Sequence, residues 1–566
     1  MKKFLVICLL ATVTLAYADN SKLSPDLQAS KASHAVVIVQ YNQQPGLLDL
    51  GNITNLLGTI LSDLPLVNGI VADLPLGNIL ALSNQSNVKY ISLNRSMAPT
   101  LSNAAPAINA FAAWQSGYTG AGIGVALIDS GVINHPDLQG GFLGMSRVVY
   151  SQSFVTGTSS ATDQYGHGTH IAGLIAGDGA SSTGSKYSRT FEGIAPGANL
   201  INLRVLDQNG EGTDSAVIAA IARAIALKGL FNIRVMNLSL GRPVYESYKL
   251  DPVCQAVETA WKNGIVVVVA AGNDGRYQPT SGYWTINSPG NDPYVITVGA
   301  TNTLGTPTRN DDKMASYSSK GPTVIDHIVK PDLVAPGNLL VSLAAPSSTL
   351  YNEYPGNQVP YSYYENGGSS ASSTSYFTLS GTSMATGVVS GVVADLLQKS
   401  PKLTPDQVKA RLMVTAWKSL PTYSTVYDPT TGITYTDQDD VFTVGAGYVD
   451  VEAALNSTDV ANRTAMSPTA EYDPSTGNVY MSSNPSAVWN ESAMWGSSAV
   501  WGSSQFVTSN SAMWGSSAMW GSSAMWGSSA MWGSSAMWGS SAMWGSSAMW
   551  GSSAMWGSSV SAGEKN

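Results

Sequence analysis

Between residues 113 and 456, short runs rich in valine and isoleucine alternate with helical stretches, and this alternation most constrains the fold. The apolar runs cover residues 123–128, 199–205, 233–238, 265–270 and 294–298. The clearest helical stretches are residues 214–227 and 252–262. Continuous apolar strands that alternate with helices are typical of a parallel sheet between two helix layers. We therefore predict a three-layer α/β domain over residues 101–456.

The chain begins with the pattern of an export signal over residues 1–18. Two lysines precede an apolar run over residues 4–15, and Ala16 and Ala18 supply the small side chains of a cleavage site. A membrane anchor would need a longer apolar run. We therefore expect the protein to be secreted to the extracellular space without stable membrane insertion, and association with the cell surface stays open. Cleavage would leave Cys254 as the sole cysteine, which excludes an internal disulfide.

The overall composition excludes two classes of protein. Hydrophobic residues make up 44% of the chain and charged residues only 11%. This supplies a large core and argues against wholesale disorder. The formal net charge is -9 and no run of lysine or arginine stands out, so nucleic acid is excluded as a partner. We expect a monomer.

A small α+β unit is predicted before the α/β domain, over residues 19–100. Strands are expected at residues 35–39, 69–72 and 88–93, with a helix before the second of them. Such a mixture of strands and helices is enough for a compact unit with its own core.

The segment after the α/β domain, residues 457–566, has a different composition. It is rich in serine and repeats Ala-Met-Trp-Gly-Ser-Ser, without a break over residues 512–559. A β-solenoid or adhesive array fits this period, and so does a low-complexity tail without a fixed fold. Because tryptophan and methionine are unusually apolar for a disordered tail, we interpret the segment as binding a surface or a partner.

Three motifs carry side chains suited to chemistry. Asp129 ends an apolar run, at the strand end where open α/β sheets place their sites. His167 lies between two glycines at a predicted helix start, which leaves its ring accessible to a substrate. Ser383 opens another helix, whose N-terminal N–H groups and dipole favour an anionic intermediate. Alone, each motif also fits an ordinary turn or cap.

A further histidine and an asparagine complete the candidate site. His170 follows His167 by three residues, but this spacing lacks the glutamate and the interval of zinc peptidase helices, so we interpret His170 as a structural neighbour. Asn273 follows a run of four valines, residues 266–269. Acyl transfer requires hydrogen-bond donors at the developing oxyanion. The Asn273 side chain and the Ser383 N–H would provide them, and an ordinary turn asparagine is the alternative.

Together these blocks closely resemble the subtilase family of serine peptidases, over about residues 120–455. The order Asp129, His167, Ser383 is that of the subtilisin triad. Segments at residues 134–138, 237–241 and 330–337 also match. The resemblance implies a subtilisin-like fold and a serine endopeptidase that cleaves proteins or peptides through an acyl-enzyme.

The resemblance also implies a specificity pocket and a role for the N-terminal unit. Two segments would line the pocket, namely Ser239, Leu240 and Gly241 in the first and Ala270, Ala271 and Gly272 in the second. The first segment would also pair with the substrate backbone as an added strand. Residues 19–100 would be a propeptide that assists folding, inhibits the enzyme within the same molecule and is removed by self-processing.

No cofactor is required for this chemistry, and the resemblance leaves a structural calcium open. Asp137 matches a family calcium ligand, but residues 181–189 do not clearly match the partner loop. A calcium ligand and a solvated aspartate in a turn both fit. Residues 347–376, rich in serine and tyrosine, are interpreted as an inserted surface loop, with a role in the substrate cleft left open.

One alternative function belongs to a different class. A non-catalytic surface adhesin could retain a subtilase scaffold and act through the tryptophan-rich repeats. The complete set of Asp129, His167, Asn273 and Ser383 argues against it, because a scaffold without activity usually loses at least one of these side chains.

Overall fold

The computed structural model describes residues 22–23, 27–28, 33–64, 68–93, 101–141, 144–428, 432–458, 460–473, 478–482, 505–506 and 564. The chain divides into two compact units, Met1–Met97 and Ala98–Asn566. The predicted export signal and the uninterrupted repeats lie outside the described residues. Within the described ranges, no helix is both long and apolar enough to cross a lipid bilayer.

The smaller unit is a four-stranded antiparallel sheet with two helices. Its elements are β1 (His34–Tyr41), α1 (Leu47–Asn55), β2 (Thr59–Leu64), β3 (Gly69–Pro75), α2 (Leu76–Ser83) and β4 (Val88–Leu93). The strand order is β2-β3-β1-β4. Alternate residues of β1, among them Val37 and Val39, pack into a core with Ile53, Ile79 and Leu82 from the helices. The predicted strands lie within β1, β3 and β4, whereas β2 and α2 were not predicted.

A largely parallel sheet of eight strands forms the centre of the larger unit. Its strands are β5 (Gly124–Asp129), β6 (Val148–Ser153), β7 (Asn199–Arg204), β8 (Ile233–Leu238), β9 (Val266–Ala270), β10 (Ile296–Asn302), β11 (Lys313–Met314) and β12 (Leu333–Pro336). The order is β6-β7-β5-β8-β9-β10, and β10 also pairs with β12 in parallel and with β11 antiparallel. The predicted α/β class is confirmed, and β5 lies inside the sheet with its carboxyl end at Asp129.

Helices cover this sheet in two groups. The helices are α3 (Leu101–Ala107), α4 (Phe111–Gln115), α5 (His167–Ala176), α6 (Asp214–Phe231), α7 (Pro252–Lys262), α8 (Thr349–Glu353), α9 (Thr382–Lys399), α10 (Pro405–Thr415), α11 (Val441–Val444) and α12 (Val451–Asn456). One group pairs α6 with α7, and the other pairs α5 with α9. The second pair approaches closely because α9 has a glycine, Gly387, whose added Cβ would lie 3.3 Å from Ile171.

Smaller sheets lie outside the central one. They consist of β13 (Leu340–Leu343), β14 (Gln358–Pro360) and β15 (Ser372–Leu379), the hairpin β16 (Tyr423–Asp428) and β17 (Ile433–Gln438), and β18 (Thr469–Asp473), β19 (Asn478–Ser482) and β20 (Gln505–Phe506). The segment at residues 347–376 therefore differs from the predicted surface loop. It forms α8, β14 and half of β15, and its Tyr364 and Tyr376 are buried against Phe191.

The packed core extends past residue 456, where we predicted that the catalytic domain ends. Ala465 and Ala470 are fully buried in the same apolar core as the central sheet. The backbone of Ser467 donates to Pro293, and its hydroxyl donates to Asp332 at 2.6 Å. Composition changes near residue 457, but packing continues because these few small residues fill space beside β10 and β12.

Candidate active site

Asp129 and His167 form the centre of the candidate site. Asp129 is the last residue of β5 and is fully buried. Its Oδ1 lies 2.8 Å from Nδ1 of His167 and also accepts the N–H of Ser130 at 2.7 Å. The Nδ1–H therefore points to the carboxylate, which leaves Nε2 as the ring nitrogen that can accept a proton.

Glycines bring the start of α5 against the end of β5. A Cβ on Gly168 would lie 2.2 Å from the carbonyl oxygen of Gly131, a distance that no side chain tolerates. Gly166 precedes the helix with a φ of +106°, in the region that favours glycine. The glycines on either side of His167 thus set the distance between strand and helix.

Two residues that the sequence analysis missed hold this turn in place. The carboxylate of Asp163, nearly fully buried, accepts the N–H groups of Gly166 at 2.7 Å and Thr169 at 2.8 Å. It also accepts the hydroxyl of Ser130, which in turn accepts the N–H of Gly168. The signal was present in the sequence, since an aspartate four residues before His167 is well placed to cap the helix.

The electrostatic environment raises the pKa of His167. Burial alone would lower its pKa, but the charge of Asp129 and the hydrogen bond to it outweigh burial, so the pKa of His167 is raised above 6.5. Its Nε2 is buried and has no hydrogen-bond partner among the described residues. Buried polar atoms are nearly always paired in folded proteins, so this unpaired nitrogen is a candidate for a functional atom. The ring itself is fully buried, unlike the accessible ring that we predicted.

Ser383 lies in the first turn of α9, as predicted, and its hydroxyl has an unexpected partner. The Ser383 Oγ donates to the carbonyl oxygen of Ser239 at 3.1 Å. No hydrogen bond joins Ser383 to His167 in the described part of the chain. The Ser239 hydroxyl donates to the Ser383 carbonyl oxygen at 2.9 Å, so Ser239 holds the serine through both groups. Catalytic hydrogen bonds are often incomplete without substrate.

Asn273 is placed beside the nucleophile's turn. Its Oδ1 accepts the backbone N–H of Thr382 at 2.9 Å and the Thr382 hydroxyl at 3.1 Å. Because Oδ1 serves as the acceptor, Nδ2 is the end of the amide that can donate to an oxyanion. Gly381 has a φ of +152°, and an added Cβ would lie 3.4 Å from this Nδ2. The N–H of Ser383 belongs to a helix turn without intrahelical acceptors.

The two predicted pocket segments converge at the carboxyl ends of β8 and β9. A Cβ on Gly241 would lie 3.0 Å from the carbonyl oxygen of Ser288, and one on Gly272 would lie 2.9 Å from Nδ2 of Asn287. Both segments therefore approach the same stretch of chain. Within them, the side chains of Ser239 and Leu240 are buried. Ser239 supports Ser383, and the glycines provide the close approach.

His170, on the same helix as His167, is structural. Its Nε2 lies 3.1 Å from the carbonyl oxygen of Leu340 and 3.2 Å from that of Phe377. Complete burial lowers the pKa of His170 to about 3, so the ring stays neutral and donates to these carbonyls. This agrees with the interpretation of His170 as a neighbour of the site.

The surroundings of Asp137 do not fit a calcium ion. Asp137 is fully buried, and its Oδ1 accepts the N–H of Ser181 at 2.7 Å. Its Oδ2 accepts the hydroxyl of Tyr376 at 2.6 Å. Among the residues that the structure describes, no three acidic, histidine or cysteine side chains are grouped as metal ligands. Calcium requires six to eight oxygen ligands, whereas hydrogen-bond donors surround this carboxylate.

Comparison with known proteins agrees with this geometry. Residues 120–447 match the model of the Subtilase family, peptidase S8. Serine protease AprX of Bacillus subtilis is 40% identical over 58% of this chain and 70% of its own length. Subtilisin DY of Bacillus licheniformis is 33% identical over 63% of this chain and 99% of its own. Subtilisin E of Bacillus subtilis is 32% identical over 73% of this chain and 94% of its own.

The family match covers the central sheet, helices α5 to α9 and every residue of the candidate site. This match explains the α/β fold and the buried aspartate–histidine pair, and it shows a serine endopeptidase. The chain belongs to the subtilase family of serine peptidases.

Proposed function

We propose that the protein cleaves peptide bonds with Ser383 as nucleophile and His167 as general base. Asp129 orients His167 and stabilises the positive charge that His167 acquires. The observation that carries this proposal is the 2.8 Å contact between Asp129 and His167 Nδ1, which turns the unpartnered Nε2 into the proton acceptor. For attack, the Ser383 hydroxyl leaves the Ser239 carbonyl by a side-chain rotation. Its proton then passes to His167 Nε2 as Oγ bonds to the scissile carbonyl carbon, and the π electron pair of the carbonyl moves onto its oxygen.

Charge that develops on the substrate oxygen would be held by the Asn273 Nδ2 and the Ser383 N–H. His167 then gives its proton to the leaving amine, and an acyl-enzyme forms on Ser383. Water hydrolyses the ester by the same route in reverse. The segments at residues 239–241 and 270–272 would bind the substrate on either side of its side chain.

Two further parts of the proposal concern secretion and maturation. The first 18 residues would direct secretion, and the unit that ends near Met97 would act as a self-removed inhibitory propeptide. Position supports the second point, since this compact unit directly precedes the catalytic one. None of the described residues favours an adhesin.

Labelling with a fluorophosphonate, followed by peptide mass spectrometry, tests the nucleophile. Wild type should carry the label on Ser383, and Ser383→Ala should carry none, because the reagent needs an activated serine. Ser400→Ala, at the C-terminal end of the same helix, is the matched control and should be labelled like wild type. A label on another serine would contradict the assignment.

Intact mass and N-terminal sequencing then test processing: wild type should lose the segment up to about Met97, and Ser383→Ala should keep it.

Replacement of Asn273 by alanine tests the oxyanion donor. We expect kcat to fall by about 10²–10³-fold with little change in KM, because the amide acts mainly in the transition state. Asn263→Ala, an exposed asparagine at the end of α7, should keep the wild-type kcat. An unchanged kcat in Asn273→Ala would remove Asn273 from the mechanism.

A further inference from the structure

Glu564 lies beyond the hexapeptide repeats in the sequence, yet the structure buries it. Only 2% of its surface is exposed. It contacts three side chains of the catalytic unit, namely Arg276, Ser316 and Asn338. We call these three residues the glutamate cradle.

The cradle binds the carboxylate of Glu564 from one side. Oε1 accepts the backbone N–H of Ser316 at 2.7 Å and its hydroxyl at 2.5 Å. The same oxygen lies 3.2 Å from Nη2 of Arg276. Hydrogen bonds to a charged group are about twice as strong as neutral ones, so this contact selects an acidic side chain.

The cradle also binds the backbone of Glu564. The side chain of Asn338 donates through Nδ2 to the Glu564 carbonyl oxygen at 3.0 Å. Its Oδ1 accepts the Glu564 N–H at 2.9 Å. One amide thus pairs with both backbone groups of a single residue, as a neighbouring strand would. Such a contact recognises a peptide segment rather than a free carboxylate.

Contacts within the catalytic unit hold the cradle in shape. Nη1 of Arg276 donates to Asp428 on the β16–β17 hairpin at 2.9 Å, and its guanidinium lies 4.8 Å from the ring centre of Tyr435. Its Nε donates to the hydroxyl of Ser316 at 2.8 Å. Because Arg276 has these partners independently of Glu564, the site is preorganised and loses little freedom on binding.

The cradle adjoins the segments that carry the proposed chemistry. Arg276 follows Asn273 by three residues. Asn338 follows Gly337, whose carbonyl oxygen accepts the N–H of Gly381 at 2.8 Å. Gly381 directly precedes Thr382 and Ser383. A ligand of the cradle therefore contacts Asn338, the neighbour of Gly337, and Gly337 supports the turn that carries Ser383.

We propose that Arg276, Ser316 and Asn338 form a binding site for a glutamate-containing peptide segment, and that Glu564 occupies it to dock the chain beyond the repeats beside the active site. The site would be selective for glutamate and would accept the same segment supplied as a separate peptide. This docking does not depend on catalysis, so it goes beyond the proposed function.

Hydrogen exchange at the Ser316 amide measures docking directly, since this N–H donates to Glu564. The full chain with Ser383→Ala avoids self-cleavage and serves as the reference. In the Ser383→Ala/Glu564→Ala chain the Ser316 amide should exchange at least about tenfold faster, the factor expected for the loss of a charge-assisted hydrogen bond. Glu452→Ala, which removes an exposed glutamate from α12, is the matched control and should leave the exchange unchanged.

A peptide of residues 560–566 then tests recognition in trans. At about 1 mM, near the effective concentration of a linked segment, it should restore slow exchange at Ser316 in the Glu564→Ala chain. The same peptide with alanine in place of its glutamate should not. Unchanged exchange in Glu564→Ala, or equal effects of the two peptides, would overturn the proposal. Because the reference chain lacks the nucleophile, neither result depends on the proposed catalytic roles.

Discussion

Among the described residues, two histidine–aspartate pairs are buried, His167 with Asp129 and His135 with Asp137, and their hydrogen bonds differ. Each carboxylate oxygen of Asp137 accepts a hydrogen bond, Oδ1 from the N–H of Ser181 and Oδ2 from the hydroxyl of Tyr376. His135 accepts the N–H of Asp137 through Nδ1 and lies 3.1 Å from the Ser375 carbonyl oxygen through Nε2.

The pair of His167 and Asp129 instead keeps two buried atoms without partners among the described residues, Nε2 and Oδ2 respectively. Unsatisfied buried polar atoms cost about 1–3 kcal/mol each, so their presence at this pair is a cost that the proposed chemistry would explain. The same residue types therefore form one pair with unpartnered atoms, to which we assign the chemistry, and one pair in which every side-chain nitrogen and oxygen has a hydrogen-bond partner.

The largest expected difference between the two pairs lies in the histidines. His167→Ala should lower kcat by about 10⁶-fold, because the nucleophile loses its base. His135→Ala should keep kcat but destabilise the fold by about 1–3 kcal/mol, since it leaves the Asp137 N–H and the Ser375 carbonyl unpaired. Peptide hydrolysis and thermal unfolding measured on both variants check this. A folded His135→Ala chain without activity would break the comparison.

The aspartates should differ less. Asp129→Asn should lower kcat by about 10⁴-fold, because an amide favours the wrong tautomer of His167. Asp137→Asn should retain kcat while losing stability, since one of its atoms becomes a donor facing the donors of Ser181 and Tyr376. Steady-state kinetics together with urea unfolding separates the two effects. Equal losses of kcat in both variants would contradict separate roles.

The pH dependence of activity and stability should separate the pairs again. The base must be neutral, and the pKa of His167 is raised by Asp129 against the effect of burial. Therefore kcat/KM should fall about tenfold per pH unit below a pKa that lies above 6.5. Burial lowers the pKa of His135, against the opposing charge of Asp137. Below pH 6.5 the unfolded chain binds a proton at His135 that the folded chain does not bind. The contribution of neutral His135 to stability is therefore present above pH 6.5 and is lost as the pH falls below it.

Melting temperatures across this range provide the check on His135. Wild type should lose more stability than His135→Asn between pH 6.5 and pH 5, because asparagine does not titrate. Parallel curves for the two proteins would show that His135 contributes nothing to the pH dependence.

The smallest effect on activity is expected for Tyr376→Phe, which removes the donor to Asp137. The Tyr376 hydroxyl donates to Oδ2 of Asp137 and lies 2.7 Å from Oγ of Ser182. Its loss should cost about 1–3 kcal/mol of unfolding free energy and leave kcat/KM unchanged. Tyr427→Phe, at an exposed tyrosine of β16, is the matched control and should leave both unchanged. If EDTA leaves the melting temperature of wild type unchanged, a stabilising calcium at Asp137 is disfavoured as well.

The sequence by itself determined the α/β class, the strand that ends at Asp129, the helix starts at His167 and Ser383, and the family. These features follow from local patterns, because the apolar periodicity of strands and helices and the glycines beside them are read within a few residues. The strand at residues 233–238 and the helix at residues 252–262 have the predicted ends. The run of valines also predicted that Asn273 follows the strand β9.

Only the tertiary structure decided which polar groups are satisfied. Tyr376 reaches Asp137 across 239 residues, Ser239 reaches Ser383 across 144, and Glu564 reaches Ser316 across 248. Local periodicity has no information on such contacts, which depend on how the packed elements bring distant side chains together. The same holds for the core beyond residue 456 and for the glutamate cradle, because burial and hydrogen bonding are properties of the assembled fold rather than of any one segment.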